Sequence, residues 1–344
     1  MSFSKNIILT KIHAMHGKML KSQKYDELIN CKNLSEVAKY LLNNSPYSSS
    51  IKNLNNEDIK RTHFEDVIKK HAFKNYYKIY RYTKKEKNEI FKLMLEKFEI
   101  DEILNAIIFI KSNRAGDEDY VFYMPENLVL KCKINLLKLK KIKTIEELVV
   151  FLKDTHYNKI ISKLKEQEIK NLKYVDFEFL FYSYFFKKLL KTVSSKTKNV
   201  ELFELKRLIK TKIDKINFCN IYRQKVILNL DKKTIEEKIF PYGKNLNVDL
   251  INKLLNCSNE IQFEEILNKN FNKFKNFKHM KIDFFWQQIE QKICENYIFL
   301  SSNITTTFYC FFVLQQIEIY NLIHIIEGIY YNMPKEEIKN MLIF

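Results

Sequence analysis

Glycine and proline are scarce in this chain, with four of each among 344 residues. Tight β-hairpins depend on turn residues that adopt positive φ, above all Gly. A sandwich or barrel of many strands would need many such turns. Gly-rich phosphate loops are also missing, because neither GxGxxG nor GxxxxGK followed by Ser or Thr occurs. We therefore predict an all-α protein whose long helices are joined by short polar connections.

Helical periodicity supports this prediction. The segment "NLSEVAKYLL" (33–42) repeats apolar residues with the i, i+3, i+4, i+7 spacing of an amphipathic helix. The segment "TIEELVVFL" (144–152) has the same pattern and opens with Thr144, followed three residues later by Glu147. That spacing is typical of a capping box and predicts that a helix starts after Thr144.

The net charge of +18 is supplied almost entirely by lysine, since only five arginines occur. Two Lys-rich runs, 131–143 and 269–281, alternate bases with apolar residues. They are typical of solvated helix faces, but they could also bind single-stranded nucleic acid. Bidentate recognition of phosphate and bases favours Arg, which argues against specific nucleic-acid binding. A basic helical-repeat protein that binds single-stranded nucleic acid is the alternative hypothesis, and anionic headgroups or acidic partner subunits fit the charge as well.

The six cysteines are scattered without a CxxC pair, and the first twenty residues lack a signal-peptide pattern. Both features favour a reduced, cytoplasmic compartment.

Residues 296–317 carry no charge and could span a bilayer by length. They include Asn, Ser, Thr and Gln, however, which a spanning helix would have to hide. We predict a buried core helix entered through the polar turn "SSNITTT", and no transmembrane anchor.

The histidines give no convincing site. His13 and His16 have i, i+3 spacing, but a zinc site needs three or four ligands and no Cys or acidic residue is close in sequence. His63 and His71 are too far apart to share one helical turn. His324 lies on an apolar helix, where a hydrogen-bonded core or interface histidine is expected. We predict no catalytic, cofactor-binding or metal site, and no cofactor.

Two weak patterns recur three times, in a fixed order. The first is a short acidic amphipathic helix followed by an aromatic residue, at 35–47, 146–157 and 264–274. The second is an acidic residue three positions before an asparagine inside an apolar helix. Its copies lie about a hundred residues apart and are Glu102 with Asn105, Asp214 with Asn217, and Glu318 with Asn321. We predict three homologous helical repeats, with boundaries 1–118, 119–228 and 229–344.

The acidic–Asn pairs predict a structural role. A spacing of three residues puts both side chains on one face of a helix. A carboxylate buried on such a face is costly unless it is hydrogen-bonded or paired, and the asparagine could bind main-chain groups at a helix crossing. A catalytic pair would not be expected in three copies. We therefore predict three equivalent structural junctions.

The two ends of the chain resemble a known family. The segment "MLKSQKYDELINCKNLSEVAKYLLNNSPYSSSI" (19–51) resembles the opening of the C/AC39 family, the C or d subunits of A-type and V-type rotary ATPases. The segment "QQIEIYNLIHIIEGIYYNMPKEEIKNML" (315–342) resembles its ending. With the repeat signatures, the resemblance covers essentially the whole chain. The chain departs from the family pattern at Asp214, where the family has Glu.

The resemblance implies both architecture and function. Family members are funnel-shaped all-α proteins with three similar lobes in a pseudo-threefold arrangement around a central cavity. They are non-catalytic rotor adaptors that bind no nucleotide and are peripheral to the cytoplasmic face of the membrane. The expected partners are the central-stalk subunits (D/F type) and the membrane rotor ring (c/K proteolipid). The expected function is to transmit torque between stalk and ring.

Overall fold

The structure is a computed structural model that describes residues 3–52, 54, 59–83, 89–114, 132–271 and 282–344. Over this part of the chain the secondary structure is helical, with turns and no strand, so the predicted all-α class is confirmed there. The helices are α1 (Phe3–His16), α2 (Ser22–Ile29), α3 (Leu34–Asn44), α4 (Ser48–Ile51), α5 (Arg61–Thr83), α6 (Glu89–Lys111), α7 (Leu136–Leu139), α8 (Ile145–Lys153), α9 (Asn158–Ile161), α10 (Glu166–Asn171), α11 (Tyr174–Lys196), α12 (Asn199–Tyr222, continued by a π-helical turn), α13 (Lys232–Glu236), α14 (Val248–Leu255), α15 (Glu260–Asn270), α16 (Ile282–Leu300), α17 (Ile304–Tyr330) and α18 (Lys335–Asn340).

Three short helices, α3, α8 and α15, begin in the same way. The N-cap side chain, which is Asn33, Thr144 or Asn259, accepts a hydrogen bond from the backbone N–H three residues on, at 3.0, 3.2 and 2.9 Å. In return, the side chain at that third position accepts the backbone N–H of the residue before the cap, at 2.7, 2.9 and 2.8 Å. These reciprocal bonds satisfy donors that a helix start leaves open. The helix start predicted at Thr144 is confirmed, and the Glu147 carboxylate binds the N–H of Lys143 where a standard capping box would bind that of Thr144.

The apolar core consists of three clusters. One joins helices α2–α4 and the first half of α5 to the end of α17 and to α18. A second joins the end of α12 to helices α13–α15 and the start of α16. The third and largest contains α6–α11 with the middle of α12 and α17. The short helices near the N-terminus therefore pack against the last long helix. The repeat boundaries 1–118, 119–228 and 229–344 stay a prediction.

Helix α17 is the most apolar long helix of the described chain. It is the one described helix that is long and apolar enough to cross a membrane, yet 78% of its most apolar window is buried inside the protein. The predicted buried core helix is thus confirmed from Ile304 onward, whereas residues 296–300 belong to the end of α16, where Phe299 and Leu300 are exposed. The predicted polar entry is a turn at 301–303, where the Glu204 carboxylate accepts hydrogen bonds from Ser301 Oγ at 2.7 Å and Asn303 Nδ2 at 2.8 Å.

Candidate functional site: buried carboxylate junctions

The pair Asp214 and Asn217 lies buried on α12 and holds a loop. Asn217 Nδ2 donates to the Phe240 carbonyl oxygen at 2.8 Å, and Asn217 Oδ1 accepts the Phe240 N–H at 2.8 Å. The Asp214 carboxylate accepts the backbone N–H groups of Lys244 and Asn245 at 2.9 and 2.8 Å. Both ends of the loop 240–245 are therefore fixed to one face of α12 by two side chains.

This loop requires a glycine. A Cβ atom on Gly243 would lie 2.2 Å from Asp214 Oδ1, which is closer than non-bonded carbon and oxygen atoms can approach. The missing side chain lets the backbone approach the carboxylate closely enough to donate two hydrogen bonds. The scarcity of glycine in the chain makes this position informative: one of only four glycines serves the junction.

The pair Glu318 and Asn321 is buried on α17 and makes the same kind of contacts. Asn321 Nδ2 donates to the Ile343 carbonyl oxygen at 2.8 Å, and Asn321 Oδ1 accepts the Ile343 N–H at 2.9 Å. Glu318 accepts the Leu20 N–H at 2.6 Å and the Tyr47 hydroxyl at 2.7 Å. Asn321 thus repeats the role of Asn217, and Glu318 holds backbone as Asp214 does.

The two junctions differ in which segments they join. Asp214 and Asn217 bind one continuous loop, 240–245. Glu318 and Asn321 bind two segments far apart in sequence, Leu20 and Ile343. Helix α17 therefore holds the N-terminal and C-terminal segments of the chain together. At the Asp214 junction the corresponding contacts are made by one continuous loop.

For the first predicted pair, the structure places the matching contacts elsewhere. Glu102 is buried, whereas Asn105 is only half-buried and makes no side-chain hydrogen bond among the described residues. The contacts that match those of Glu318 belong to Glu99, which accepts the Lys133 N–H at 2.5 Å and the Tyr157 hydroxyl at 3.0 Å. The pair with the spacing of the other two junctions is therefore Glu99 with Glu102, one helical turn before Glu102 and Asn105.

The two tyrosines that reach these carboxylates sit in the same local structure. Ser45 Oγ accepts the Tyr47 N–H at 3.1 Å, and Thr155 Oγ1 accepts the Tyr157 N–H at 3.2 Å. Each tyrosine then precedes a four-residue helix, α4 or α9. They are the aromatic residues that end the first two copies of the repeated short-helix pattern. The end of the third copy, 272–274, lies outside the described residues.

Burial dominates the electrostatics of the three junctions. It raises the pKa of Glu99 and of Asp214. Burial also raises the pKa of Glu318 to about 7, although the hydrogen bonds from Tyr47 and Leu20 act in the opposite direction. Removal from water disfavours the charged form of each carboxyl, and the donated hydrogen bonds recover part of that cost.

Comparison with known proteins identifies the family. The family model described as ATP synthase (C/AC39) subunit matches residues 8–341. The chain belongs to the C/AC39 family. Its match includes all three acidic–polar pairs on α6, α12 and α17, so the family resemblance seen at the two ends of the sequence holds across the chain.

Individual relatives are similar at a moderate level. The C subunit of the A-type ATP synthase of Thermococcus kodakarensis is 25% identical over 264 residues, covering 75% of this chain and 68% of that protein. The corresponding C subunits of Pyrococcus abyssi and Pyrococcus furiosus are 26% and 29% identical, covering 73% and 65% of this chain. The matched part spans 64% and 58% of those two relatives, so the matches leave more than a third of each uncovered.

A cavity of this C/AC39 protein lies between several of its long helices. It has a volume of about 320 Å³ and is lined from α6, α11, α12, α16 and α17. Glu290 is buried in its wall, with Lys212 Nζ and Lys215 Nζ each 3.2 Å from Glu290 Oε2. Burial alone would raise the pKa of Glu290, but the charges and hydrogen bonds of the two lysines outweigh it and lower that pKa. The cavity wall is therefore mostly apolar, with the Glu290 cluster buried in it and with Lys97 and Glu178 also lining it.

The histidines His13, His16 and His324 of this protein contact neighbouring backbone or ring atoms. His13 Nε2 is 2.9 Å from the Ile298 carbonyl oxygen, and His324 Nδ1 is 2.8 Å from the Tyr320 carbonyl oxygen. The expected hydrogen-bonded histidine at 324 is confirmed. His16 packs edge-on against Phe299 at a ring distance of 5.3 Å. Among the described residues no three His, Cys, Asp or Glu side chains are grouped to hold a metal ion.

Proposed function

We propose that this chain is a non-catalytic adaptor in the central rotor of an A/V-type ion-translocating ATPase. It links the central-stalk subunits (D/F type) to the membrane rotor ring (c/K proteolipid) and transmits torque between them. The observation that carries this proposal is the C/AC39 family match over residues 8–341. The relatives are subunits of A-type ATP synthases by name, which supports a place for this chain in a multisubunit complex. We propose that it lies there peripheral to the cytoplasmic face of the membrane.

The junctions support a mechanical role. A part that transmits torque must resist deformation, and buried hydrogen bonds that satisfy both partners make a packed joint rigid. Asn217 and Asn321 each fix a backbone segment with two such bonds. Glu318 adds a bond to Leu20, which closes the N-terminal segment onto the last long helix. We propose that these joints hold three similar lobes in a funnel with the stalk at its mouth.

Exposed apolar side chains also support membership of a complex. Phe299 and Leu300 are 71% and 81% exposed at the end of α16, and Val200 and Phe203 are 63% and 65% exposed at the start of α12. Both helix ends meet at the turn 301–303, through the bonds of Glu204 to that turn. Exposed groups of this kind are typical of surfaces that a partner covers. We propose that these four residues contact a neighbouring protein of the complex.

The proposal is tested by assembly. The purified chain would be mixed with the stalk subunits and, separately, with the detergent-solubilised ring, and complexes would be separated by size-exclusion chromatography. We expect a stable complex with each. The double variant Phe299→Ser with Leu300→Ser should weaken one of the two complexes. The matched variant Val248→Ser with Ile261→Ser, which removes two exposed apolar residues elsewhere, should weaken neither.

If the chain binds neither the stalk subunits nor the ring, the proposed function is wrong. Retention on single-stranded RNA with a steep salt dependence, combined with that failure, would favour the nucleic-acid alternative. The two hypotheses therefore predict opposite results in the same pair of experiments.

A further inference from the structure

A basic groove of about 910 Å³ lies beside the Glu318 junction. Its walls come from the end of α1, the turn into α2, the α3–α4 loop and α5, and Gln315 and Glu318 line it from α17. Five lysines from these separate elements line it: Lys11, Lys18, Lys21, Lys24 and Lys78. The folded chain thus brings Lys78 of α5 into one concavity with four lysines from the N-terminal segment 11–24.

These lysines are not neutralised by neighbouring acids. Among the described residues, none of the five forms an ion pair with a carboxylate, whereas lysines such as Lys188 and Lys212 pair with buried glutamates. Within the described lining of the groove, the one carboxylate is that of Glu318, whose two oxygens already accept hydrogen bonds. Like charges gathered in a concave surface focus a positive potential that attracts anions.

His71 is a second, independent feature of the groove. It lines the groove, is only 3% exposed and packs on the Tyr47 ring at 4.3 Å. His71 Nδ1 is 3.0 Å from Ser50 Oγ, while His71 Nε2 is buried with no hydrogen-bond partner among the described residues. Burial and the charges of Lys78 and Lys74 lower the pKa of His71 to about 4, so the ring is neutral at pH 7. When Ser50 donates to Nδ1, the ring proton is on Nε2 and can be donated to a ligand.

We propose that this groove binds a small anion that carries two or more phosphoryl groups. Compact ammonium charges bind phosphate oxygens as point charges, and the buried Nε2–H of His71 supplies a neutral donor that such an oxygen would satisfy. The groove volume is in the range of small-ligand sites. This inference concerns a ligand of the chain itself and does not rest on the rotor role.

The lining argues for phosphoryl recognition rather than base recognition. The lining residues that the structure describes include no Phe, Tyr or Trp, so a nucleobase would find no aromatic stacking surface among them. Binding of single-stranded nucleic acid relies on aromatic stacking along an extended basic track. Tripolyphosphate should therefore bind as tightly as ATP, and adenosine should not bind.

The affinity test uses isothermal titration calorimetry on the full chain at constant ionic strength, with tripolyphosphate, ATP and adenosine as ligands. The variant Lys18→Gln with Lys21→Gln should weaken tripolyphosphate binding by about tenfold or more, the equivalent of roughly 1.4 kcal/mol. The matched variant Lys138→Gln with Lys141→Gln removes two exposed lysines elsewhere and should change the affinity by less than about twofold. Equal weakening by both variants, or binding of ATP without tripolyphosphate, would overturn the proposal.

A second measurement isolates His71. The variant His71→Phe removes the Nε2–H donor but keeps a ring against Tyr47 and leaves all five lysines in place. Its affinity for tripolyphosphate should therefore fall, while its circular dichroism spectrum stays unchanged. In the wild-type chain, NMR should show the pKa of His71 rising when tripolyphosphate binds, because the anion stabilises the protonated ring. An unchanged His71 titration, or affinity that grows with the length of a single-stranded oligonucleotide beyond the reach of the groove, would contradict the site.

Discussion

Asn321 binds the backbone of Ile343 with two hydrogen bonds, donating from Nδ2 at 2.8 Å and accepting at Oδ1 at 2.9 Å. Asn217 binds Phe240 in the same way, with both distances at 2.8 Å. An amide side chain that satisfies both polar groups of one buried residue replaces the pairing that a strand or helix would give that residue. The two bonds therefore make each asparagine a fixed point between a long helix and an irregular segment.

Removing either amide should destabilise the protein. We expect Asn321→Ala and Asn217→Ala each to lower the free energy of unfolding by about 2–4 kcal/mol, because a buried N–H and a buried carbonyl lose their partners. Asn105→Ala is the matched control from the sequence pattern and should cost less than about 1 kcal/mol. Urea unfolding of the three variants checks the expectation. An equal cost at all three positions would contradict the assignment of the contacts to Asn217 and Asn321.

A methyl group at Gly243 should break the second junction. In Gly243→Ala the new Cβ would lie 2.2 Å from Asp214 Oδ1, so the loop or the carboxylate must move and its hydrogen bonds weaken. We expect a loss of about 2–3 kcal/mol in the free energy of unfolding. In Gly17→Ala the Cβ would meet only ordinary contacts, at 3.4 and 3.9 Å, and the variant should unfold within about 1 kcal/mol of wild type. Gly243→Ala with wild-type stability would show that the loop is not held by Asp214.

The raised pKa of Glu318 predicts a pH dependence. The folded state holds this proton up to about pH 7, whereas the unfolded chain releases it near 4.5. Stability from this group is therefore fully present below pH 4.5 and is lost as the pH rises to about 7, by on the order of 3 kcal/mol.

The variant Glu318→Gln isolates that titration. Its melting temperature relative to wild type should rise between pH 5 and pH 8, because the amide cannot ionise. Thermal melts at several pH values measure the difference. A difference that stays constant across this range would mean that Glu318 does not titrate there.

Glu96 should show the opposite sign. It is 1% exposed and accepts hydrogen bonds from Lys188 Nζ at 2.6 and 2.7 Å. Burial alone would raise the pKa of Glu96, but its hydrogen bonds and the charges of Lys188 and Lys133 lower it to about 2. The stability that this group contributes is present above pH 4.5 and is lost as the pH falls through about 2.

Removal of the lysine partner tests that balance. Lys188→Met leaves Glu96 buried with weaker partners and should cost about 2–4 kcal/mol at pH 7. The cost should shrink below pH 4.5, when the carboxyl of the variant can be protonated. Lys138→Met removes an exposed lysine and should have little effect at any pH. A Lys188→Met variant as stable as wild type at pH 7 would contradict the pairing.

Much of the fold could be predicted from the sequence because its signals are local. The helix start at Thr144 and the apolar periodicity of 33–42 depend on residues a few positions apart, and both helices form. The burial of 305–315, the part of the predicted segment that lies on α17, was also predictable from its lack of charge. The break in the predicted segment between Leu300 and Ile304 depends on Glu204, a residue about a hundred positions earlier, to which no local pattern points.

The register of the repeats was not predictable for the same reason. Helix α6 carries Glu96, Glu99 and Glu102 at intervals of three, all buried, so spacing alone cannot choose among them. In the sequence, Asn105 follows Glu102 with the same spacing as Asn217 and Asn321 follow their acidic residues. The choice is made by Tyr157 and Lys133, which reach Glu99 from segments that follow α6. The third short-helix copy shifts likewise, because the cap at Asn259 starts it earlier than the predicted 264.

We propose above all that the chain links the central stalk to the membrane rotor ring. The most direct measurement compares ATP-driven ion transport and ATP hydrolysis in vesicles that contain the full ATPase with or without this chain. The rotor-adaptor account predicts that hydrolysis continues without the chain, that transport is lost, and that adding the purified chain restores transport. Equal transport with and without the chain would contradict the account.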